Sequence, residues 1–512
     1  MNRFMDDANE FLKICSEFQL GNLPTEIPNP KTSELSKLSK NDIKKAIDVL
    51  VNVDKNVFEI IHSKIQDIFD LKSEIDHTFK SGGRVFLVGC GATGRLSLAL
   101  ETLWRIKHKD NDQVISLMAG GDVALIHSVE KFEDFPEFGE RQLMELNFHE
   151  NDLLIATTEG GETPFVIGAT NKASTFSKRR PFFLYCNPDD ILFKTTKRSR
   201  EVIENNDIRK INLTVGPMAL TGSTRMQATT ILMYVVGLAL LNTDSDNSKI
   251  VREIELLQSF LVTHSFSFLE KFIERESNIY DQNEFIYYET DGDLGISILT
   301  DTTERSPTFS LVPFENQLDS VKNPALSYLL FSRSANSKEA WFDLLKRKPR
   351  AFFWPEVTDR TSIERLYGFD FSNELILQRK KYITKTIHRF KIFFNHEDNQ
   401  ISFELNELKH ICSFGELSFL SVHILLKMML NTHSTILMGR QNRYESNLMT
   451  WVRASNFKLI DRSVRYAKIL LKEKGIEADY NKLVLICYKH KDQIPRDQSL
   501  VLLMVDEYQK EN

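Results

Sequence analysis

The stretch Val88-Gly89-Cys90-Gly91-Ala92-Thr93-Gly94-Arg95 joins two different periodicities. Before it, Arg84–Val88 is a short apolar run with strand character; after it, Leu96–Trp104 repeats apolar residues at helical spacing. Glycines 89, 91 and 94 permit a tight turn and a close approach of backbone to ligand. Thr93 adds a hydroxyl where the helix begins. The free N–H groups and positive dipole end of such a helix start suit a phosphate. The same spacing also fits a dinucleotide turn, Gly-x-Gly-x-x-Gly. The ribose acid of that alternative would be Asp122, which closes Ala119-Gly120-Gly121-Asp122 after the next strand.

Outward from this turn, short apolar runs alternate with helical stretches. Strands are expected at Arg84–Val88, Val114–Met118, Asp152–Thr157, Pro181–Tyr185 and Lys210–Val215, and helices near Gly94–Lys107, Val123–Glu145 and Thr163–Thr175. Alternation of this kind implies an α/β doubly wound parallel sheet. Its ligands sit beyond the carboxyl ends of the strands. A second turn, Thr157-Thr158-Glu159-Gly160-Gly161-Glu162-Thr163, follows the third strand and opens another helix. Two such turns can converge on one small anion, whereas a dinucleotide needs one. Capping of the helix start by Thr158 and Thr163 is the simpler alternative.

Upstream, Asn22–Lys31 carries three prolines and Asn41–Phe79 is helical in pattern. Downstream, a helical linker at Lys249–Glu276 leads to a less regular series at Glu284–Tyr288, Leu326–Phe331, Arg350–Phe353 and Arg389–Phe393. From Phe414 the pattern is mostly helical. The division expected is an N-terminal segment at 1–55, a first domain at 56–245, a linker at 246–275, a second domain at 276–440 and a C-terminal helical lid at 441–512.

The 512 residues are 42% hydrophobic with a formal net charge of -6, acids and bases being mixed throughout. No basic stripe points to nucleic acid. The basic runs Lys346–Arg350 and Arg379–Lys381 read as solvated faces. Five cysteines at 15, 90, 186, 412 and 487 form no Cys-x-x-Cys pair, which fits a reducing compartment. No secretory signal is visible at the start, and the most apolar stretch, Thr229–Leu241, is too short for a bilayer. A cytoplasmic protein is expected, with no membrane contact, no cofactor and no metal site.

The motifs VGCGATGR (88–95), AGGD (119–122), VEKFED (129–134), TEGGETPF (158–165), CNP (186–188) and GPMALTGSTRM (216–226) occur in order. With TEIPNP (25–30) and SELSKLS (33–39), they resemble the sugar-isomerase (SIS) proteins related to N-acetylmuramic acid 6-phosphate etherase. The doubled length is similar to that of the glucokinase regulatory protein group, with two fused SIS domains and a helical lid. In the second half, DLGISILTDTTERSPTF (293–309), LLKMMLNTHST (425–435) and VRASNFKLIDR (452–462) resemble later family segments.

The resemblance implies a sugar phosphate ligand held by Gly91, Thr93, Gly94, Thr158, Gly161 and Thr163, with Ser223 and Thr224 as further polar contacts. When the halves are aligned, Gly94 falls opposite Gly295 and Leu103 opposite Glu304. The glutamate that the etherases use for acid–base chemistry thus survives as Glu304 in the second half, and their other glutamate as Glu133 in the first. The helix lysine is Lys427, where the first half has Met233. The phosphate turn survives only in the first half; the second reads Glu289-Thr290-Asp291-Gly292-Asp293, which repels phosphate. One composite site at a pseudo-two-fold interface is expected. His127 and Arg225 also match family positions and are read as structural. Gly160, Gln227 and Ala92 depart from the etherase pattern. A sugar-phosphate sensor, with a sugar kinase or another protein as partner, is the first reading. A lyase or isomerase using Glu133 and Glu304 is the alternative, and a dinucleotide enzyme the third. Pairing of the halves within one chain implies a monomer.

Overall fold

The structure, a computed structural model, describes residues 3–109, 111–129 and 132–511. Among these residues ten strands form two five-stranded sheets. The first comprises β1 (Val85–Gly89), β2 (Val114–Met118), β3 (Leu153–Thr157), β4 (Phe182–Tyr185) and β5 (Arg209–Asn212). All its pairings are parallel, in the order β2-β1-β3-β4-β5. Every residue of β1, β2 and β3 is buried, as continuous apolar runs covered on both faces require. The strand order reverses between β1 and β3, so the crevice beyond their carboxyl ends is where a ligand is accommodated.

The second sheet has β6 (Phe285–Glu289), β7 (Ser327–Leu330), β8 (Ile387–Asn395), β9 (Gln400–Leu405) and β10 (Leu408–Ser413), in the order β10-β9-β8-β6-β7. β6, β7 and β8 are parallel, but β8-β9-β10 is an antiparallel meander. The expected strand at Arg350–Phe353 is instead irregular chain that docks on the first domain. The meander was missed because β9 and β10 expose alternate residues and so lack an apolar run.

The principal helices are α1 (Arg3–Ile14), α2 (Ile43–Ser63), α3 (Ile65–Lys80), α4 (Ala92–Lys107), α5 (Pro136–Glu145), α6 (Pro164–Phe176) and α7 (Gln227–Leu241). They continue as α8 (Asn247–Thr263), α9 (Leu269–Asp281), α10 (Gly295–Phe309), α11 (Phe419–Arg440), α12 (Phe457–Glu473), α13 (Tyr480–His490) and α14 (Leu500–Lys510). The linker is two helices, α8 and α9. The helix expected at Val123–Glu145 is two 3-10 turns followed by α5, which begins at Pro136. Glu130 and Lys131 of the VEKFED motif lie outside the described residues.

α7 is apolar all round and buried over nearly its whole length, and α11 is nearly as enclosed. These two helices pack on each other, and so do α4 and α10, the helices that follow β1 and β6. The aligned parts of the two halves therefore face one another within one chain. α12, α13 and α14 form the lid, with α1 packed on α13. Among the described residues no helix is long and apolar enough to cross a membrane.

Both basic runs differ from expectation. Arg347 is buried and binds Glu101 (2.9 Å) and Asp122 (2.5 Å), while Arg350 adds a further guanidinium to Glu101 (2.7 Å). Arg379 is fully buried on Glu315 (2.6 Å), with only Lys380 and Lys381 exposed. The neutralising carboxylates are remote in sequence, so a local reading of charge sees only solvation.

Candidate functional site

The turn after β1 is held by its own atoms. A Cβ on Gly89 would stand 2.3 Å from the Thr93 carbonyl carbon, and Gly91 has φ +53° and ψ -121°, a conformation natural to glycine. Thr93 Oγ accepts from Cys90 N (3.0 Å) and donates to Cys90 O (2.9 Å). Its hydroxyl therefore ties the turn instead of reaching outward. Gly94 packs on Met118.

In the turn after β3, the hydroxyls of Thr158 and Thr163 are hydrogen-bonded at 2.9 Å, and Gly161 N donates to Thr158 Oγ (3.3 Å). Gly161 O accepts from Ser199 Oγ (2.8 Å). Thr158 and Gly161 are thus internal to the turn, and Thr163, the residue before α6, makes no side-chain cap to the helix, so the capping alternative does not describe these bonds.

A cavity of about 190 Å³ opens beyond these turns. Of the sequence candidates, Gly91, Thr163, Ser223, Thr224, Glu133 and Glu304 line it; Thr93, Gly94, Thr158, Gly161 and Lys427 do not. Ser223 is 3% exposed and its Oγ has no hydrogen-bond partner among the described residues. Buried hydroxyls are usually satisfied, so this one calls for an explanation. Lys427 sits at a smaller void of about 30 Å³ that shares Ala92, Arg95, Arg225 and Glu304 with the main cavity. Its ammonium donates to Arg225 O (2.8 Å), Met226 O (3.2 Å) and Thr230 Oγ (2.7 Å). All three protons are spent joining α11 to the start of α7. Burial pushes Lys427 down and the neighbouring Asp54 up.

Arg225 bridges the halves: it binds Asp301 (3.0 Å), Ser434 (3.2 Å) and Thr435 (3.0 Å), all from the second half. His127 lies outside the cavity on an exposed wall.

The cavity carries both signs of charge. Glu304 Oε1 is 2.5 Å from Arg95 Nε. Glu133 accepts from Asn456 Nδ2 (3.0 Å) and lies 3.6 Å from Lys458 Nζ, which also holds Glu162 at 3.0 Å. Burial opposes the Lys458 ammonium, but Glu162 and Glu133 overcome this and raise its pKa. Glu159, inside the wall, is pushed up to about 7 by burial, against the pull of Lys458. Asp134 also reaches about 7 through burial and the nearby Glu133 and Glu162.

The sequence reading did not select Lys458, Asn456, Glu159 or Arg462. Three of these stand in VRASNFKLIDR, whose likeness to a family segment was visible; that α12 lies across the β1 and β3 turns was not. Arg462 is anchored to Glu26 (2.5 Å), which draws the proline-rich N-terminal segment into the same wall.

The degenerate turn of the second half is filled by the chain itself. Arg389 lies 3.3 Å from Glu289, and His396 lies 2.8 Å from Asp293. Asp122, the ribose acid of the dinucleotide alternative, is bound on both oxygens by Arg347 and accepts also from Arg350 N (2.7 Å). It is not free to bind a ribose.

A parallel sheet with a glycine turn at its strand-order reversal, joined through paired helices to a second, mixed sheet that keeps three parallel strands, is an SIS-type architecture. A profile of the glucokinase regulatory protein N-terminal SIS domain matches residues 65–174. The N-acetylmuramic acid 6-phosphate etherase of Photobacterium profundum is 32% identical over 224 residues, 43% of this chain and 69% of that protein. The etherase of Rhodopirellula baltica is 28% identical over 294 residues, covering 56% and 91%. The chain belongs to this family of SIS-domain etherase relatives. Tagatose-6-phosphate ketose/aldose isomerase from Escherichia coli superposes with a TM-score of 0.41 at 10% identity, covering 78% of this chain and 94% of that one, a likeness too loose to add to the topology.

Proposed function

We propose that the chain binds a sugar phosphate in the cavity between the β1 turn and the lid, and that it acts as a sensor whose lid position follows the ligand. The observation that carries this reading is the buried, unpartnered hydroxyl of Ser223, a residue in the wall of a cavity that also includes the start of α4. A helix start offers N–H donors and a favourable dipole to a phosphate, and the free hydroxyl offers one more donor. The cavity is below the roughly 300–1,000 Å³ of drug-sized pockets, which suits a compact ligand. Lys458 from α12 lines the same space, so a bound anion interacts with the lid as well as with the sheet. A ligand that favours one lid position shifts its population and any association that depends on it. The regulatory relative's name makes a sugar kinase the first partner to test.

The catalytic reading is favoured by one observation: Glu133 and Glu304, from different halves, line the same cavity. Two carboxylates could divide acid and base roles. Each is already engaged by a cation, which favours sensing over turnover.

The proposal includes the division into domains at 56–245 and 276–440 with a lid at 441–512. It also includes a monomer, because the paired helices α4 with α10 and α7 with α11 are supplied by one chain. Five free thiols suit a cytoplasmic setting.

Thermal-shift measurements with hexose, amino-sugar and muramic acid phosphates, and with NAD, test the reading. A sugar phosphate should stabilise the chain; stabilisation by NAD alone overturns it. Incubation with the stabilising ligand then tests turnover, which Glu304→Gln should abolish if it occurs. Light scattering checks the monomer.

A further inference from the structure

A second cavity, of about 250 Å³, adjoins the first and shares Arg95, Ser128, Pro307 and Ser455 with it. It lies where the lid meets both sheet-bearing halves. Arg453 precedes α12, Lys491 and Arg496 stand between α13 and α14, and Ser306 belongs to α10.

Its charge is one-sided. Arg453 Nη1 donates to Ile494 O (3.0 Å) and Pro495 O (3.4 Å). Arg496 Nη1 donates to Leu311 O (2.6 Å) and Ser306 Oγ (3.4 Å). Among the described residues neither guanidinium has a carboxylate at ion-pair distance. Lys491 is held by Asp492 (2.8 Å), the only acid among the described residues of the wall, whose side chain is 75% exposed. Arg95 is neutralised by Glu304. Two half-buried guanidiniums are therefore left without an ion pair, Arg453 being offset only through space by Asp492. Arg496 is destabilised as a cation by burial and then by Arg453. Arrangements of this kind are costly unless an anion completes them.

We propose that Arg453, Lys491 and Arg496 form a second anion site, for a phosphoryl-type group. Because this cavity shares four wall residues with the first, the anion is either a second phosphate on the same sugar or a free phosphate. A third cavity of about 510 Å³ shares His127, Pro313 and Arg496 with this one, so the basic site lies between it and the sugar cavity.

Calorimetry of the full chain with inorganic phosphate, at constant ionic strength, tests the site. Arg453→Gln and Arg496→Gln should weaken phosphate binding about tenfold or more, the loss of a charge-assisted contact. Should either variant fold poorly, Lys491→Gln should still weaken binding about threefold. Ser223→Ala should leave this site unchanged. Phosphate binding that is the same in wild type, Arg453→Gln and Lys491→Gln overturns the proposal, as does no binding at all.

A hexose bisphosphate binding at least about tenfold tighter than its monophosphate, with the advantage lost in Arg453→Gln, assigns the anion to one doubly phosphorylated sugar. Equal binding of the two sugars, with Arg453-dependent phosphate binding retained, assigns it to a free anion. The bisphosphate comparison alone rests on the sugar-phosphate reading. If no sugar monophosphate binds while Arg453-dependent phosphate binding persists, that reading fails and this site stands.

Discussion

Arg95 Nε and Glu304 Oε1 lie 2.5 Å apart, joining the end of the glycine turn of the first half to α10 of the second. Arg95 also donates to Leu125 O and to Thr303 Oγ (2.7 Å). The two residues sit on α4 and α10, which face each other across the pseudo-two-fold, so one ion pair ties the turn's orientation to the packing of the halves. Glu304→Ala leaves a buried guanidinium without its counter-charge. A loss of about 3 kcal/mol is expected, read as a lower urea midpoint. An unchanged midpoint would mean that the pair does not hold the halves together.

Ser223→Ala and Lys427→Ala should behave in opposite ways. The Ser223 hydroxyl has no protein partner, so its loss should leave the melting temperature alone and weaken sugar phosphate binding about threefold to tenfold. Lys427 spends three protons on the start of α7, so its loss should lower the melting temperature and change affinity less. Calorimetry beside thermal melts separates the two. An affinity loss in Lys427→Ala larger than in Ser223→Ala would return the lysine to the ligand.

Glu159 should impose a pH slope. Its carboxyl is raised from an ordinary 4.5 to about 7, so between these values the folded chain binds a proton that the unfolded chain releases. Stability is then greatest at the acid end and falls as pH rises through about 7, by up to about 3 kcal/mol. Glu159→Gln should remove its share of the fall, leaving that of Asp134: the variant should gain on wild type with rising pH and level off above about 8. Urea unfolding at several pH values measures this. A gain that shrinks with rising pH would reverse the sign. Binding of an anionic ligand nearby should raise Glu159 further and take up a proton, detected as a buffer-dependent heat.

Gly91→Ala should impair the site through the backbone. A Cβ there would touch nothing within 4 Å, so the cost is the strain of its φ and ψ, about 1–3 kcal/mol. The new methyl would also project beside the start of α4. Reduced ligand affinity with a modest fall in melting temperature is expected, and wild-type affinity would exclude this turn from the site.

Replacing Arg347 should be among the most damaging changes. Arg347→Met strands Asp122 and leaves Glu101 with Arg350 and Arg105, so a loss of about 3–5 kcal/mol is expected. Chemical denaturation measures it. A near-neutral effect would restore the view of this run as a solvated face.

By itself, the sequence determined what rests on short-range pattern. The apolar runs and the turn at Val88–Arg95 defined the first parallel sheet, and the alignment of the halves showed that the glycines and Glu304 lie in different copies. Strand period, turn chemistry and residue identity are local, so they can be read along the chain. Tertiary structure decided which of the nominated groups face a common space. Thr93, Thr158 and Lys427 carry suitable chemistry, but each turns its polar atoms onto nearby backbone or side chains. Lys458 and Asn456 reach the cavity because α12 folds across both turns, and Arg347 is buried because Glu101 and Asp122 await it. Such pairings join residues hundreds of positions apart through packing and charge neutralisation, which no local pattern records.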